Sequence, residues 1–155
     1  MQSNCNNQRL DDVSSGSKLE LHISNIDMKL KEISKQYKIL KNKSDQSKRD
    51  KQTAEFCIRE WGKILAYQQG KIGGTRTIMR KNPFADRNFI NFMSKDEQHF
   101  LELVESSKQK IRDFKQKLED SEQAINEFNI VKIKRKELYR NRDYWIRIND
   151  FLNKK

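Results

Sequence analysis

The residue types that usually carry catalysis or bind metals are few in this chain and lie far apart. Its two histidines, His22 and His99, are not paired with a serine, cysteine or carboxylate in a nucleophile–base pattern. Cys5 and Cys57 have no second cysteine or histidine at the spacing of a metal site. We therefore predict that the chain is not an enzyme and has no catalytic residue, no metal site and no cofactor.

The chemistry that the sequence does offer is electrostatic binding to anions. The net charge is +11 and the isoelectric point is near 9.7. Residues 130–155 contain nine Lys and Arg against three Asp and Glu, and residues 71–92 contain five against one. A charge of this kind admits nucleic acid, acidic proteins and anionic membranes as partners.

The cations of the last segment fall along one side of a predicted amphipathic helix. At about 100° per residue, Val131, Leu138 and Trp145 lie on the opposite side, so one side packs while the other suits a phosphate backbone. Two further interpretations stay open: a solvated or protein-facing outer surface, and a membrane-surface helix anchored by Trp145 and Phe151. The candidate nucleic-acid-binding residues are Lys132, Arg135, Lys136, Arg140, Arg142 and Arg147.

A basic stretch at residues 71–92 that contains several large apolar side chains interrupts the helical pattern. It holds the only proline and three of the eight phenylalanines. A disordered linker is rarely this aromatic, and long connections in compact domains are usually functional. We predict that this stretch docks on a larger protein, with docking on the chain's own helices as the alternative. The candidate partner-binding residues are Trp61, Ile78, Phe84, Phe89 and Phe92.

One tripeptide in this stretch matches a short recognition motif. Residues 82–84 read NPF, the tripeptide that endocytic EH domains bind. Asn-Pro is also an ordinary way to begin a turn. The motif therefore supports an adaptor function only as an alternative.

Two long heptad patterns must position these residues. The first runs through 18–69, and its phase is kept across the polar run KNKSDQSKRDKQT, which predicts one continuous helix with unzipped or wet middle turns. Gly70 is the predicted end of this helix. Its apolar positions alternate in steps of three and four: Leu19, Ile23, Ile26, Leu30, Ile33, Tyr37, Leu40, Ala54, Ile58, Trp61 and Leu65.

The second pattern begins at Ser94, which forms a predicted capping box with Glu97. Its apolar phase slips after Phe128, so the sequence leaves open whether residues 94–153 form one helix or two. Residues 130–153 are the basic amphipathic part. The seam positions of this second pattern before the slip are Phe100, Val104, Ser107, Ile111, Phe114, Leu118, Ser121, Ile125 and Phe128.

These patterns predict an all-α fold, a long antiparallel helical hairpin or coiled coil with a third, C-terminal basic helical segment. The predicted boundaries are a disordered tail at 1–17, a heptad helix at 18–69, a connecting loop at 70–93, and the remaining helices at 94–155. Only 34% of the residues are hydrophobic and 35% are charged, too little apolar surface for a thick core. We therefore expect a larger protein subunit to complete the core, with parallel self-association into a homodimer as a competing geometry.

The C-terminal sequence VKIKRKELYRNRDYWIRINDFLNKK, a basic helix with an embedded tryptophan, resembles a homeobox-type recognition helix. It lacks the WF-x-N-R run of homeodomains. In size, basicity and its Lys/Asn/Gln/Ile-rich style, the chain is similar to the small homeobox-like accessory subunits of ciliate adenine-DNA methyltransferase complexes. The resemblance implies a non-catalytic nuclear subunit that supports a DNA-modifying enzyme.

The functional expectation is a helical accessory subunit of a multi-subunit assembly that binds a larger protein and contributes a DNA- or RNA-contacting surface. The alternative is a coiled-coil tether or a cytoskeletal or trafficking adaptor without nucleic-acid binding. No signal-peptide pattern and no bilayer-spanning apolar run occur in the sequence, so we expect an intracellular protein and no membrane partner. The expected nuclear location is what the homeobox-type resemblance implies.

Overall fold

In the computed structural model, the backbone is described for residues 5–154 and the side chains for residues 16–154. The chain forms two long helices, α1 (Cys5–Lys81) and α2 (Arg87–Asn153), which pack against each other. The described range contains no β-strand. The predicted all-α fold is confirmed.

The chain divides into two compact units, and both helices contribute to each. The terminal unit comprises the residues up to 45 and those from 124 onward, and the turn unit comprises residues 46–123. Within each unit the two helices run antiparallel, because residue numbers rise along one helix as they fall along the other. Contacts between the two helices show this antiparallel order. In the terminal unit they include the ion pair Asp27–Arg142 and the ring contact Tyr37–Phe128. In the turn unit they include the ion pairs Lys51–Glu122 and Arg76–Glu97.

The heptad positions of both helices form the packing seam. Ile26 and Leu30 are buried in the terminal unit, and Ala54 and Val104 are buried in the turn unit. Since the side chains at heptad spacing return to the same side of a helix, each helix covers the apolar stripe of the other. Burying each such side chain stabilises the packing by about 1.5–3 kcal/mol.

Small and polar side chains fill part of this seam. The expectation that the polar middle of α1 would be unzipped is wrong, because Ser44 and Ser47 are both buried. Small side chains let two helices approach closely, so a run of serines does not by itself open the seam. Other buried polar residues are Gln68, Thr75, Ser107 and Ser121.

The predicted loop at 70–93 is wrong in extent, since α1 continues to Lys81 and α2 begins at Arg87. The heptad phase explains the continuation: Ile72 and Thr75 are buried and Met79 is half-buried, each on the seam of α1. Their packing offsets the helix-weakening effect of three glycines, about 1 kcal/mol each relative to alanine.

The connection between the helices is short and has defined caps. Pro83 disfavours helical dihedrals at Asn82, whose side-chain amide donates to the Ile78 carbonyl at 2.8 Å and caps the end of α1. The Phe89 N–H donates to the Asp86 carboxylate at 2.7 Å, so Asp86 rather than Ser94 is the N-cap of α2. The predicted capping box at Ser94 is therefore wrong.

The remaining boundaries also differ from the prediction. α2 runs without a break through the phase slip after Phe128 to Asn153, so the basic C-terminal segment is the last part of α2 and no separate third helix occurs in the described range. At the other end, residues 1–4 of the predicted disordered tail lie outside the described residues, and α1 begins at Cys5.

Candidate partner-binding and nucleic-acid interfaces

The apolar residues around the connection form the first candidate surface, here called the turn surface: Ile78, Phe84, Ile90 and Phe92. The Phe84 side chain is 99% exposed, and the other three are also exposed. Ile78 and Phe92 lie within about 8 Å of the connection along their helices, at 1.5 Å per residue. The chain's own packing leaves these large side chains in solvent.

The turn that carries Phe84 is hydrogen-bonded. The Ala85 N–H donates to the Asn82 carbonyl at 3.2 Å, which closes a four-residue turn with Pro83 and Phe84 in its central positions. Pro83 restricts the backbone of this turn. Phe84 is therefore presented by a constrained segment rather than by a long loop.

Two other predicted partner-binding residues lie elsewhere. Trp61 is half-buried on the seam of α1, and the Lys110 Nζ lies 4.2 Å from the centre of its ring. Phe89 is half-buried in the first turn of α2. Ile78, Phe84 and Phe92 are thus exposed near the connection, whereas Trp61 contributes to helix packing.

Cations surround the turn surface. Arg80, Lys81 and Arg87 are exposed beside the connection, and Arg80 and Lys81 occupy the last turn of α1, where the helix dipole favours positive charge. Arg76 is different, since its Nε donates to Glu97 at 2.8 Å. The connection and its flanks therefore carry three exposed cations against the one carboxylate of Asp86, an excess of positive charge that suits an acidic partner.

An open groove of about 530 Å³ lies in the turn unit, and the sequence reasoning missed it. Its floor includes Gly70 and Gly74, where an added Cβ atom would meet nothing within 4 Å. Thr75 closes one part of the groove, because its hydroxyl donates to the Lys71 carbonyl at 3.0 Å and lies 3.3 Å from an Asp96 carboxylate oxygen. The other lining residues are Tyr67, Ile78 and Met93.

The six predicted nucleic-acid-binding residues separate into two groups. One group is exposed on α2 of the terminal unit and makes no ion pair with any described residue: Lys132, Lys136, Arg140 and Arg147. The other group, Arg135 and Arg142, is half-buried and contacts α1. Only the first group is placed to meet an external phosphate, and we call it the basic stripe.

Arg135 and Arg142 take part in helix packing. The Arg135 Nε donates to the Ser34 hydroxyl at 3.3 Å, and its guanidinium lies 4.4 Å from the centre of the Tyr37 ring, a cation–π contact. The Arg142 Nε donates to Asp27, and this hydrogen bond and the charge of Asp27 raise the pKa of Arg142 above its ordinary value. Arg142 therefore keeps its charge at every pH in which the protein is handled.

Trp145 lies against α1 rather than outward. Its ring meets the edge of His22 with centroids 5.1 Å apart. It is half-buried, which fits packing better than a role as a membrane anchor. Within residues 5–154, neither helix contains a segment apolar and long enough to cross a bilayer.

The remaining observations concern metal binding and similarity to known proteins. In the described part of the chain, no three His, Cys, Asp or Glu side chains come together in a way that suits a metal ion. Comparison of the chain with protein-family models, with curated proteins and with solved structures finds no match in any of the three.

Proposed function

We propose that the chain is a non-catalytic helical accessory subunit of a larger intracellular assembly. Its turn surface binds a protein partner, and its basic stripe contacts nucleic acid. The observation that carries the proposal is the placement of Phe84, 99% exposed in a constrained turn, with Arg80, Lys81 and Arg87 close to it in sequence. Exposed aromatic side chains with a charged rim are the usual anchors of protein interfaces.

The test of the protein interface uses the full chain at native expression, cross-linked, affinity-purified and analysed by mass spectrometry. We expect Phe84→Ser with Phe92→Ser to lose a defined partner, because removing two interface anchors costs at least about 2 kcal/mol, roughly a thirtyfold loss of affinity. The matched control is Leu21→Ser with Phe56→Ser, two exposed apolar residues distant in sequence from the turn. The same proteins recovered with both double variants would refute this part of the proposal.

The nucleic-acid contact has a separate basis. Four exposed cations share one side of α2 in the terminal unit, where they can meet one phosphate backbone. Four phosphate contacts give a slope of about −3.6 in log affinity against log salt on duplex DNA. In the nucleus, such a subunit would support a DNA-modifying enzyme, as the homeobox-like resemblance implies.

Charge reversal tests this contact. We expect Lys132→Glu, Lys136→Glu, Arg140→Glu and Arg147→Glu together to abolish binding in a mobility-shift titration and to remove the salt dependence. The control reverses four exposed lysines of α1 and therefore makes the same change in net charge: Lys31, Lys35, Lys38 and Lys41. Equal losses in both variants would show a nonspecific effect of net charge and contradict the assignment to the basic stripe.

An adaptor without nucleic-acid binding is the second candidate function, favoured by one observation. The NPF tripeptide lies in the hydrogen-bonded turn of residues 82–85 and exposes its phenylalanine ring. Calorimetric titration of the full chain with a purified EH domain tests it. The adaptor function predicts binding that is lost in Phe84→Ala and unchanged in Phe92→Ala, whereas a broader protein interface depends on both rings.

A further inference from the structure

The outward side of α2 in the terminal unit carries large apolar residues between its cations. Six residues follow one another in steps of three or four and therefore share one side of the helix. They lie opposite the half-buried positions Val131, Leu138 and Trp145, which pack against α1. We call this side the outer stripe: Ile133, Lys136, Arg140, Tyr144, Arg147 and Phe151.

The packing of the two helices does not account for the apolar members of the outer stripe. Ile133 and Tyr144 are each 58% exposed, and Phe151 is 66% exposed. A solvated helix side is normally polar, and burying such side chains against a ligand is favourable. The Tyr144 ring contacts that of Trp145, with centroids 5.2 Å apart. Tyr144 and Phe151 nevertheless keep more than half of their surface in solvent, on the same side of the helix as Arg140 and Arg147.

We infer that the outer stripe binds single-stranded nucleic acid. Arg140, Arg147 and Lys136 contact the phosphates, and Tyr144 and Phe151 stack against bases. This inference rests on the proposed nucleic-acid function of the basic stripe and specifies the form of its ligand. RNA and single-stranded DNA share the chemistry that is recognised here.

The aromatic rings favour a single strand over a duplex. In a duplex the flat faces of the bases are already stacked on each other, so Tyr144 and Phe151 would stay in solvent when the cations meet the backbone. In a single strand every base has a free face, and stacking on an aromatic ring is the common way in which proteins hold such strands. Along the stripe, Arg147 lies between the Tyr144 and Phe151 rings, so a phosphate contact can lie between two base contacts.

The layout is less suitable for a lipid surface. A helix that lies in a membrane interface separates its apolar side from its charged side. Here the two kinds of residue share one stripe, and two carboxylates lie next to it. Asp143 directly precedes Tyr144 in sequence. Asp150 directly precedes Phe151 and lies three residues after Arg147. Acidic neighbours oppose adsorption to an anionic bilayer.

The experiment measures fluorescence anisotropy of the full chain with labelled oligo(dT), oligo(U) and a duplex of the same length, at several salt concentrations. We expect the chain to bind at least one of the single strands tenfold or more tightly than the duplex. Tyr144→Ala with Phe151→Ala should lose at least tenfold of the single-strand affinity with an unchanged salt slope, because the cations remain. Tyr144→Phe should keep the affinity, since it keeps the ring.

The matched control is Phe56→Ala with Tyr67→Ala, which removes one exposed Phe and one exposed Tyr from the turn unit. Equal affinity for duplex and single strand, or no effect of the Tyr144 and Phe151 double variant, overturns the inference and leaves the proposed nucleic-acid function intact. No binding to any nucleic acid overturns both. Co-sedimentation with phosphatidylserine vesicles in place of nucleic-acid binding would assign the outer stripe to membranes and also overturn the inference.

Discussion

The buried hydrogen bond between Ser107 and Gln68 gives a quantitative prediction about stability. The Ser107 hydroxyl donates to the Gln68 amide oxygen at 2.7 Å, and the two residues are 1% and 7% exposed. Ser107→Ala removes the donor and leaves the amide oxygen buried without a partner. An unsatisfied buried acceptor costs about 1–3 kcal/mol, whereas alanine is better than serine in a helix by about 0.5 kcal/mol. The expected net loss in the free energy of unfolding is therefore about 0.5–2.5 kcal/mol.

The assay is urea denaturation followed by circular dichroism at the helix band. With a denaturant slope of about 2 kcal/mol per molar, the midpoint of Ser107→Ala should fall by roughly 0.25–1.25 M at an unchanged slope. Gln68→Leu alone should cost less, because a serine hydroxyl can turn to the carbonyl four residues earlier in its own helix. The double variant removes both polar groups and should lie within about 0.5 kcal/mol of the parent.

Two results would contradict this reasoning. If Ser107→Ala is as stable as the parent, the hydrogen bond does not satisfy a desolvated group. If the effects of Ser107→Ala and Gln68→Leu simply add, the two side chains are not coupled, and the polar layer between the helices is not the cause of the loss.

Three further predictions concern the stability effects of a buried serine, of a buried compared with an exposed apolar residue, and of two glycines within α1. Ser44 is fully buried and its hydroxyl has no hydrogen-bond partner in the described structure, so Ser44→Ala should raise the free energy of unfolding by about 1 kcal/mol, seen as a higher urea midpoint; a lower midpoint would contradict it. Ile72 is buried, so Ile72→Ala should lower the free energy of unfolding by about 2–5 kcal/mol. Phe84 is exposed, so Phe84→Ala should change it by less than about 0.5 kcal/mol. Equal thermal melting temperatures of the two variants would refute the assigned burial. Gly70→Ala and Gly74→Ala should each stabilise by about 0.5–1 kcal/mol, because both glycines are helical and open space surrounds an added Cβ; a loss of stability would show a contact that this packing lacks.

The packing seam could be predicted from the sequence because it is periodic over many turns. Positions such as Ile26 and Leu30 on α1 and Val104 on α2 repeat at heptad spacing, and all three are buried. Antiparallel packing was also predicted, from the similar lengths of two heptad segments joined by a connection predicted at residues 70–93. Periodicity is a property of the chain itself, so no knowledge of tertiary contacts was needed.

The ends of the helices could not be predicted as well, because local signals and periodicity disagree there. Gly70 is a strong signal for the end of a helix and Ser94 for the start of one. The packing seam nevertheless continues on α1 beyond Gly70 to Met79, and on α2 it already includes Met93, before Ser94. Tertiary packing outweighs the local preference of a glycine, which amounts to only about 1 kcal/mol. Asp86 is an equally good N-cap that lies closer to the true turn.

The candidate sites show the same limit. The helical angle placed Arg135 and Arg142 next to the other cations, yet each found a partner on α1, in Tyr37 and Asp27. Which neighbouring cation turns inward depends on the side chains of the opposite helix, and a single-helix projection does not contain them. Tyr144 lies outside the periodic apolar seam, so heptad spacing gives no reason to single out its exposed ring.

The polar pair between Gln68 and Ser107 also has a consequence for the alignment of the two helices. A heptad seam looks nearly the same after one helix slides by seven residues, so hydrophobic contacts alone permit several registers. Such a slide would set the Gln68 amide against Phe100 or Phe114, where neither side chain can accept or donate a hydrogen bond. One amide and one hydroxyl thereby select a single register from a set of near-equal choices, a specificity that a wholly apolar seam would lack.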